Sequence, residues 1–161
     1  MIRPMSLRST RGHRLAEHTA DVFVEAWAPD LAGCCEEAAA GLVSVYAADP
    51  VAADLSPAVV AVEAGSGEEL LLAVLEEVIF LLDTADGVPV GAVVRPGAGP
   101  AGAFEVEIAM ASPSRVVATG AVPKAVARSA SLVEGDGEDE EGGEGGEGGE
   151  GGVRCRVLVD V

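Results

Sequence analysis

Segment 22–27, Val-Phe-Val-Glu-Ala-Trp, is apolar and β-prone and is closed by Pro29, which predicts a first strand. Asp30 then offers an N-cap, and Leu31, Cys35, Ala38, Leu42 and Val45 recur at spacings of three and four up to Tyr46, the signature of one helix face. After a Pro-bounded loop, Ala58 to Ala64 reads as a second strand. Ser66-Gly-Glu-Glu69 has the form of a capping box, in which hydroxyl and carboxylate each satisfy a backbone donor at a helix start. The stripe Leu70, Leu71, Val74, Leu75, Val78, Ile79 and Leu82 follows, with Glu68, Glu69, Glu76 and Glu77 mostly opposite, so this second helix is expected to lie on a sheet and to end near Gly87 in a glycine-permitted turn.

Strands are expected at Val88 to Val94 and at Phe104 to Met110, where Phe104, Val106, Ile108 and Met110 alternate with Glu105 and Glu107. Two more are expected as a hairpin, Lys124 to Val133 and Val153 to Val161, the latter alternating Val153, Cys155, Val157 and Val159 with Arg154, Arg156, Leu158 and Asp160. Between them run successive Glu-Gly-Gly units from Glu141, a composition of high backbone entropy and self-repelling charge that predicts a disordered insertion at 135–152.

The length of 161 residues suits one domain, 14–161, and an aromatic share of 3% makes its core aliphatic. Residues 1–13 carry Arg3, Arg8 and Arg11 with neither an acid nor an apolar h-region, and are expected to be a disordered basic arm and not a secretory signal. The apolar run Leu70 to Leu82 is broken by Glu76 and Glu77, well short of the roughly 20 apolar residues of a membrane span. Cys34, Cys35 and Cys155 make neither an even disulfide framework nor a CxxC pair, which suggests buried thiols in a reducing, cytoplasmic setting. Of the net charge of −17, nine negative charges lie between Glu134 and Glu150, and the −8 left elsewhere still repels phosphate, so direct nucleic-acid binding is not expected.

No P-loop, HExxH, GxSxG or paired CxxC motif occurs, and His13 and His18 are the only histidines, so an enzyme would have to depend on carboxylates. Glu17-His18-Thr19-Ala20-Asp21 leads straight into a strand, a pattern that on its own also suits turn and capping chemistry. The last strand finishes in Asp160-Val161, two anionic groups within one residue if Val161 carries the terminal carboxylate. Should the first and last strands be neighbours, Asp21 joins them, and a hard, oxygen-seeking cation such as Ca²⁺ relieves the repulsion. Lys124, the single lysine, opens the strand expected beside the last one and reads either as a solubilising charge or as an ammonium offered to a partner.

Taken in order, His18-Thr19-Ala20-Asp21-Val22, Glu25-Ala26-Trp27, Glu68-Glu69-Leu70-Leu71, Leu82-Asp83-Thr84, Lys124-Ala125-Val126 and Val159-Asp160-Val161 resemble the archease family from His18 to Val161. The resemblance implies an α+β fold, two main helices on a mixed or antiparallel sheet of about six strands. It also implies a Ca²⁺ site made by Asp21, Asp160 and Val161, with His18 and Lys124 as function-critical neighbours. The implied role is non-catalytic: activation of an RtcB-type RNA ligase in tRNA splicing, promoting its guanylylation and multiple turnover. Where the family often shows Thr-Tyr-His after Lys-Ala-Val, this chain has Ala127-Arg128-Ser129. The competing readings are a carboxylate-dependent divalent-metal hydrolase and a holdase-like chaperone.

Overall fold

The computed structural model describes residues 10–18, 21–48, 52–134 and 152–161, with the backbone alone for Glu17 and His18. Residues 1–9 of the arm expected at 1–13, and all but Gly152 of the insertion expected at 135–152, lie outside the described residues. In chain order the elements are β1 (Gly12–His18), β2 (Asp21–Ala28), α1 (Leu31–Tyr46), β3 (Ala47–Ala48), β4 (Leu55–Glu63), α2 (Gly67–Thr84), β5 (Val88–Pro96), β6 (Ala103–Ala111), a 3₁₀ turn (Pro113–Arg115), β7 (Val117–Ala118), β8 (Ala125–Val126), β9 (Ser131–Glu134) and β10 (Val153–Asp160).

Both helices begin where their caps dictate. The Asp30 carboxylate accepts the Gly33 N–H at 2.7 Å, and α1 buries Cys34, Cys35, Ala38, Ala39 and Leu42. Gly41 lets α1 approach β2 closely, since a Cβ there would stand 2.7 Å from Val24 Cγ1. At α2, Ser66 Oγ accepts the Glu69 N–H at 3.2 Å, while the Glu69 carboxylate reaches back to the Gly65 N–H at 2.6 Å, one residue earlier than a standard box. Leu70, Leu71, Val74, Leu75 and Val78 are fully buried, each large aliphatic contributing about 1.5–3 kcal/mol by removal from water. The helix stops at Thr84 through an extended Ala85, without the glycine turn expected at Gly87.

The fold is α+β, with two α-helices and antiparallel strands, as the resemblance implies, but the strands divide among three sheets. One has the order β1-β2-β10-β8, with β9 also pairing β10; a second has the order β4-β6-β5; the third is the short pair β3-β7. Helix α1 packs on both β2 and β5 and against α2, so one aliphatic core joins the two larger sheets. Phe104, Val106, Ile108 and Met110 of β6 and Val153, Cys155, Val157 and Val159 of β10 turn inward, in the alternation their sequences show.

Two further expectations are corrected. The strand expected at 124–133 is two short strands, because between the pairs Val126↔Val159 and Ser131↔Arg156 one side advances five residues and the other three. The two surplus residues break the ladder at Ala127–Ala130. The second correction is β1, which starts at Gly12, inside the stretch expected to be a disordered arm.

Candidate functional site: the Asp21 and Asp160 edge

Strand β2 lies between β1 and β10, so the first and last strands of the domain meet in one sheet. Along β2, Val24, Ala26 and Ala28 are buried beneath the helices. The alternate positions Asp21, Phe23, Glu25 and Trp27 therefore belong to the outer face. The same alternation on β10 puts Arg154, Arg156, Leu158 and Asp160 outward.

The antiparallel register pairs Asp21 directly with Asp160. Residues so paired share a face with Cβ atoms roughly 4.5–5.5 Å apart, and like charges there repel. Asp21 is half-buried and Asp160 exposed, so the two carboxylates sit at the rim of the sheet. Asp21 is also the register partner of His18. On the other side, Asp160 pairs with Ala125, and the Asp160 carbonyl accepts the Lys124 N–H at 2.8 Å. Lys124 is exposed, and Val161 follows half-buried with its side chain against the core. Residues from separate stretches of chain, His18 and Asp21, Lys124 and Ala125, and Asp160 and Val161, are thus gathered along one strand edge.

The donor set is entirely oxygen: two side-chain carboxylates and the main-chain oxygen of Val161. That chemistry fits a hard cation such as Ca²⁺. Among the described residues no cluster of three or more His, Cys, Asp or Glu side chains is gathered. A cation here would be held by these groups, with water filling the rest of its shell. Two shallow concavities lie elsewhere, around Glu63, Gly97, Phe104 and Gly102, and do not touch this edge.

Ion pairs that sequence reasoning missed hold the ladder in place. Glu25 receives Arg14 from β1 and Arg156 from β10, the latter at 3.6 Å, and the Arg156 guanidinium lies 3.9 Å over the Phe23 ring. On the inner side, Glu37 of α1 accepts Arg11 at 2.7 Å and His13 at 3.0 Å. Burial pushes Glu37 up, but the hydrogen bonds from His13 and Arg11 outweigh it and hold its carboxyl below the usual range. The signal that could have found Arg14, Glu25 and Arg156 is their shared phase with Asp21 and Asp160, visible only once the strand order is known.

The fold is similar to the solution structure of protein 1598 from Methanobacterium thermoautotrophicum, at a TM-score of 0.62 and 20% identity, covering 93% of this chain and 99% of that one. Two curated relatives, each named "Probable protein archease", from Mycobacterium tuberculosis strains CDC 1551 / Oshkosh and ATCC 25618 / H37Rv, are 40% identical over 118 residues. That alignment takes in 73% of this chain and spans 64% of the relatives' length. The model of the Archease protein family (MTH1598/TM1083) matches residues 13–161, which contain the whole Asp21 and Asp160 edge, and the chain belongs to that family.

Proposed function

We propose that this chain activates an RtcB-type RNA ligase in tRNA splicing without catalysing a step itself, and that Ca²⁺ bound by Asp21, Asp160 and the Val161 main chain organises the edge that meets the ligase. The observation that carries this reading is the Asp21↔Asp160 register pair, two like charges opposed across a ladder at an accessible rim. Such a pair is costly unless a cation or a proton intervenes. The cation would pin β2 to β10, giving the ligase a rigid surface with Lys124 beside it. By binding the guanylylation-competent conformer more tightly than other conformers, that surface would shift the ligase population toward it, by no more than the difference in binding free energy. His18, the backbone partner of Asp21, is assigned to the same contact.

The test is a reconstituted ligation assay with the ligase from the same organism, counting turnovers per ligase. The wild-type chain is expected to support repeated turnover. Asp21→Asn, verified as folded, is expected to lower stimulation by about tenfold or more, since even outer contacts of metal sites carry effects of that size. Equal stimulation by both chains would refute the site. Phosphoester cleavage by this chain without ligase would favour the hydrolase reading.

A further inference from the structure

We propose that Cys34 and Cys155 form an oxidative modification site, which an oxidant of the hydroperoxide class converts to a disulfide tying α1 to β10. All three cysteines are free thiols in the core, and each is either completely or almost completely buried. Cys34 lies in the opening turns of α1, and its sulfur stands 3.7 Å from the Ala26 carbonyl oxygen. Ala26 is in turn the register partner of Cys155, so the two cysteines neighbour the same residue of β2, one from the helix and one from the adjacent strand. Cys34 on the helix and Cys155 on the strand thus flank one β2 residue at the interface between helix and sheet. Burial pushes the thiol of Cys35, the next residue on the helix, up to about 12. Consecutive helix positions face different directions, so Cys35 is not presented to Cys155 in the same way.

The two thiols also differ in their surroundings. The neighbouring Cys34 outweighs burial and lowers the Cys155 thiol, while Cys155 and burial together raise that of Cys34. The thiolate is the nucleophile in thiol oxidation. Cys155 sulfur attacks the peroxide, the O–O bond breaks, and a sulfenic acid forms with release of one water after proton uptake. Cys34 sulfur then attacks Cys155 sulfur; the S–S bond forms, the S–O bond breaks, and the hydroxyl leaves as a second water with the Cys34 proton. Two thiols and one hydrogen peroxide become one disulfide and two waters. Because both sulfurs are enclosed, the oxidant gains access through local opening, and the rate follows that opening. The product links α1 to the strand that ends at Asp160 and closes a loop containing most of the chain, which restricts the unfolded state.

The test uses the full chain treated with hydrogen peroxide, freed of excess oxidant, then denatured in iodoacetamide and digested without reductant for mass spectrometry. The expected product is an intramolecular link joining the Cys155 peptide to the peptide carrying Cys34, lighter by two hydrogens, with one thiol per chain still alkylated and the link opened by dithiothreitol. A Cys35→Ala chain is expected to form the same link, and Cys155→Ala to form none. The oxidised chain is expected to melt several degrees higher than the reduced one. Three alkylated thiols after treatment, a link through Cys35, links between chains, or sulfonic acid without a link would each overturn the proposal, and the Cys35→Ala chain decides it even where Cys155→Ala does not fold. A lower melting temperature for the linked form would overturn the staple.

Discussion

The two larger sheets share one core but differ in how they are assembled. The β4-β6-β5 sheet joins strands separated by α2 and a turn, whereas the β1-β2-β10-β8 sheet joins the first strands of the domain to its last. In the first sheet, alternation such as that of β6 gives both the strand and its inward face. In the second, the important adjacency, Asp21 with Asp160, exists only through long-range register. A slip of one residue would send every side chain of β10 to the opposite face, exchanging Asp160 for Val159. The lesson is that local alternation marks the buried face of a strand, while the candidate site depends on a pairing that no local pattern encodes.

That contrast can be broken experimentally. Ile108 of β6 is fully buried in the three-stranded sheet, and Ile108→Ala is expected to cost about 2–5 kcal/mol in denaturant unfolding, from lost transfer energy and the cavity left behind. Ligase stimulation per folded molecule is expected to stay unchanged, because neither Asp21 nor Asp160 moves register. A fall in stimulation among fully folded molecules would show that the two sheets are not separable in this way.

A smaller effect sharpens the other side. Glu37 ties β1 to α1, and its folded carboxyl lies below its ordinary value of 4.5. A depressed acid contributes stability that is present above that ordinary value and is lost as pH falls through the folded value. Glu37→Gln is therefore expected to flatten the acid limb of the stability profile below pH 4.5, with the two chains converging at the lowest pH. Parallel acid limbs for the two chains would show that the Glu37 network does not anchor β1.

Much of the architecture was legible in the residues. Asp30 and Ser66 mark the two helix starts, and the stripe from Leu70 to Val78 marks the buried face of α2. What was not legible has physical causes. Strand β1 reads Gly-His-Arg-Leu-Ala-Glu-His, with little apolar alternation, because it is held by backbone pairing to β2 and by Arg11, His13 and Arg14 meeting Glu36, Glu37 and Glu25. Such ion pairs leave no periodic trace. The break between β8 and β9 was hidden because Ala127 and Ala130 suit a strand as well as the irregular segment they occupy. The same holds for the edge itself: His18, Asp21, Lys124, Asp160 and Val161 were named from sequence, but only the strand order brings them to one rim. The Glu25 bridge between Arg14 and Arg156 needed that order before it could be seen at all.

The most direct measurement is calorimetric titration of Ca²⁺ into the full chain, Asp21→Asn, Asp160→Asn and the double variant, each confirmed as folded. If the two carboxylates share one cation, the wild type binds a single Ca²⁺, either substitution weakens binding by about tenfold or more, and the double variant loses far less than the sum of the two losses. Unchanged affinity in either single variant, or two fully additive losses, would contradict a site made jointly by the first and last strands.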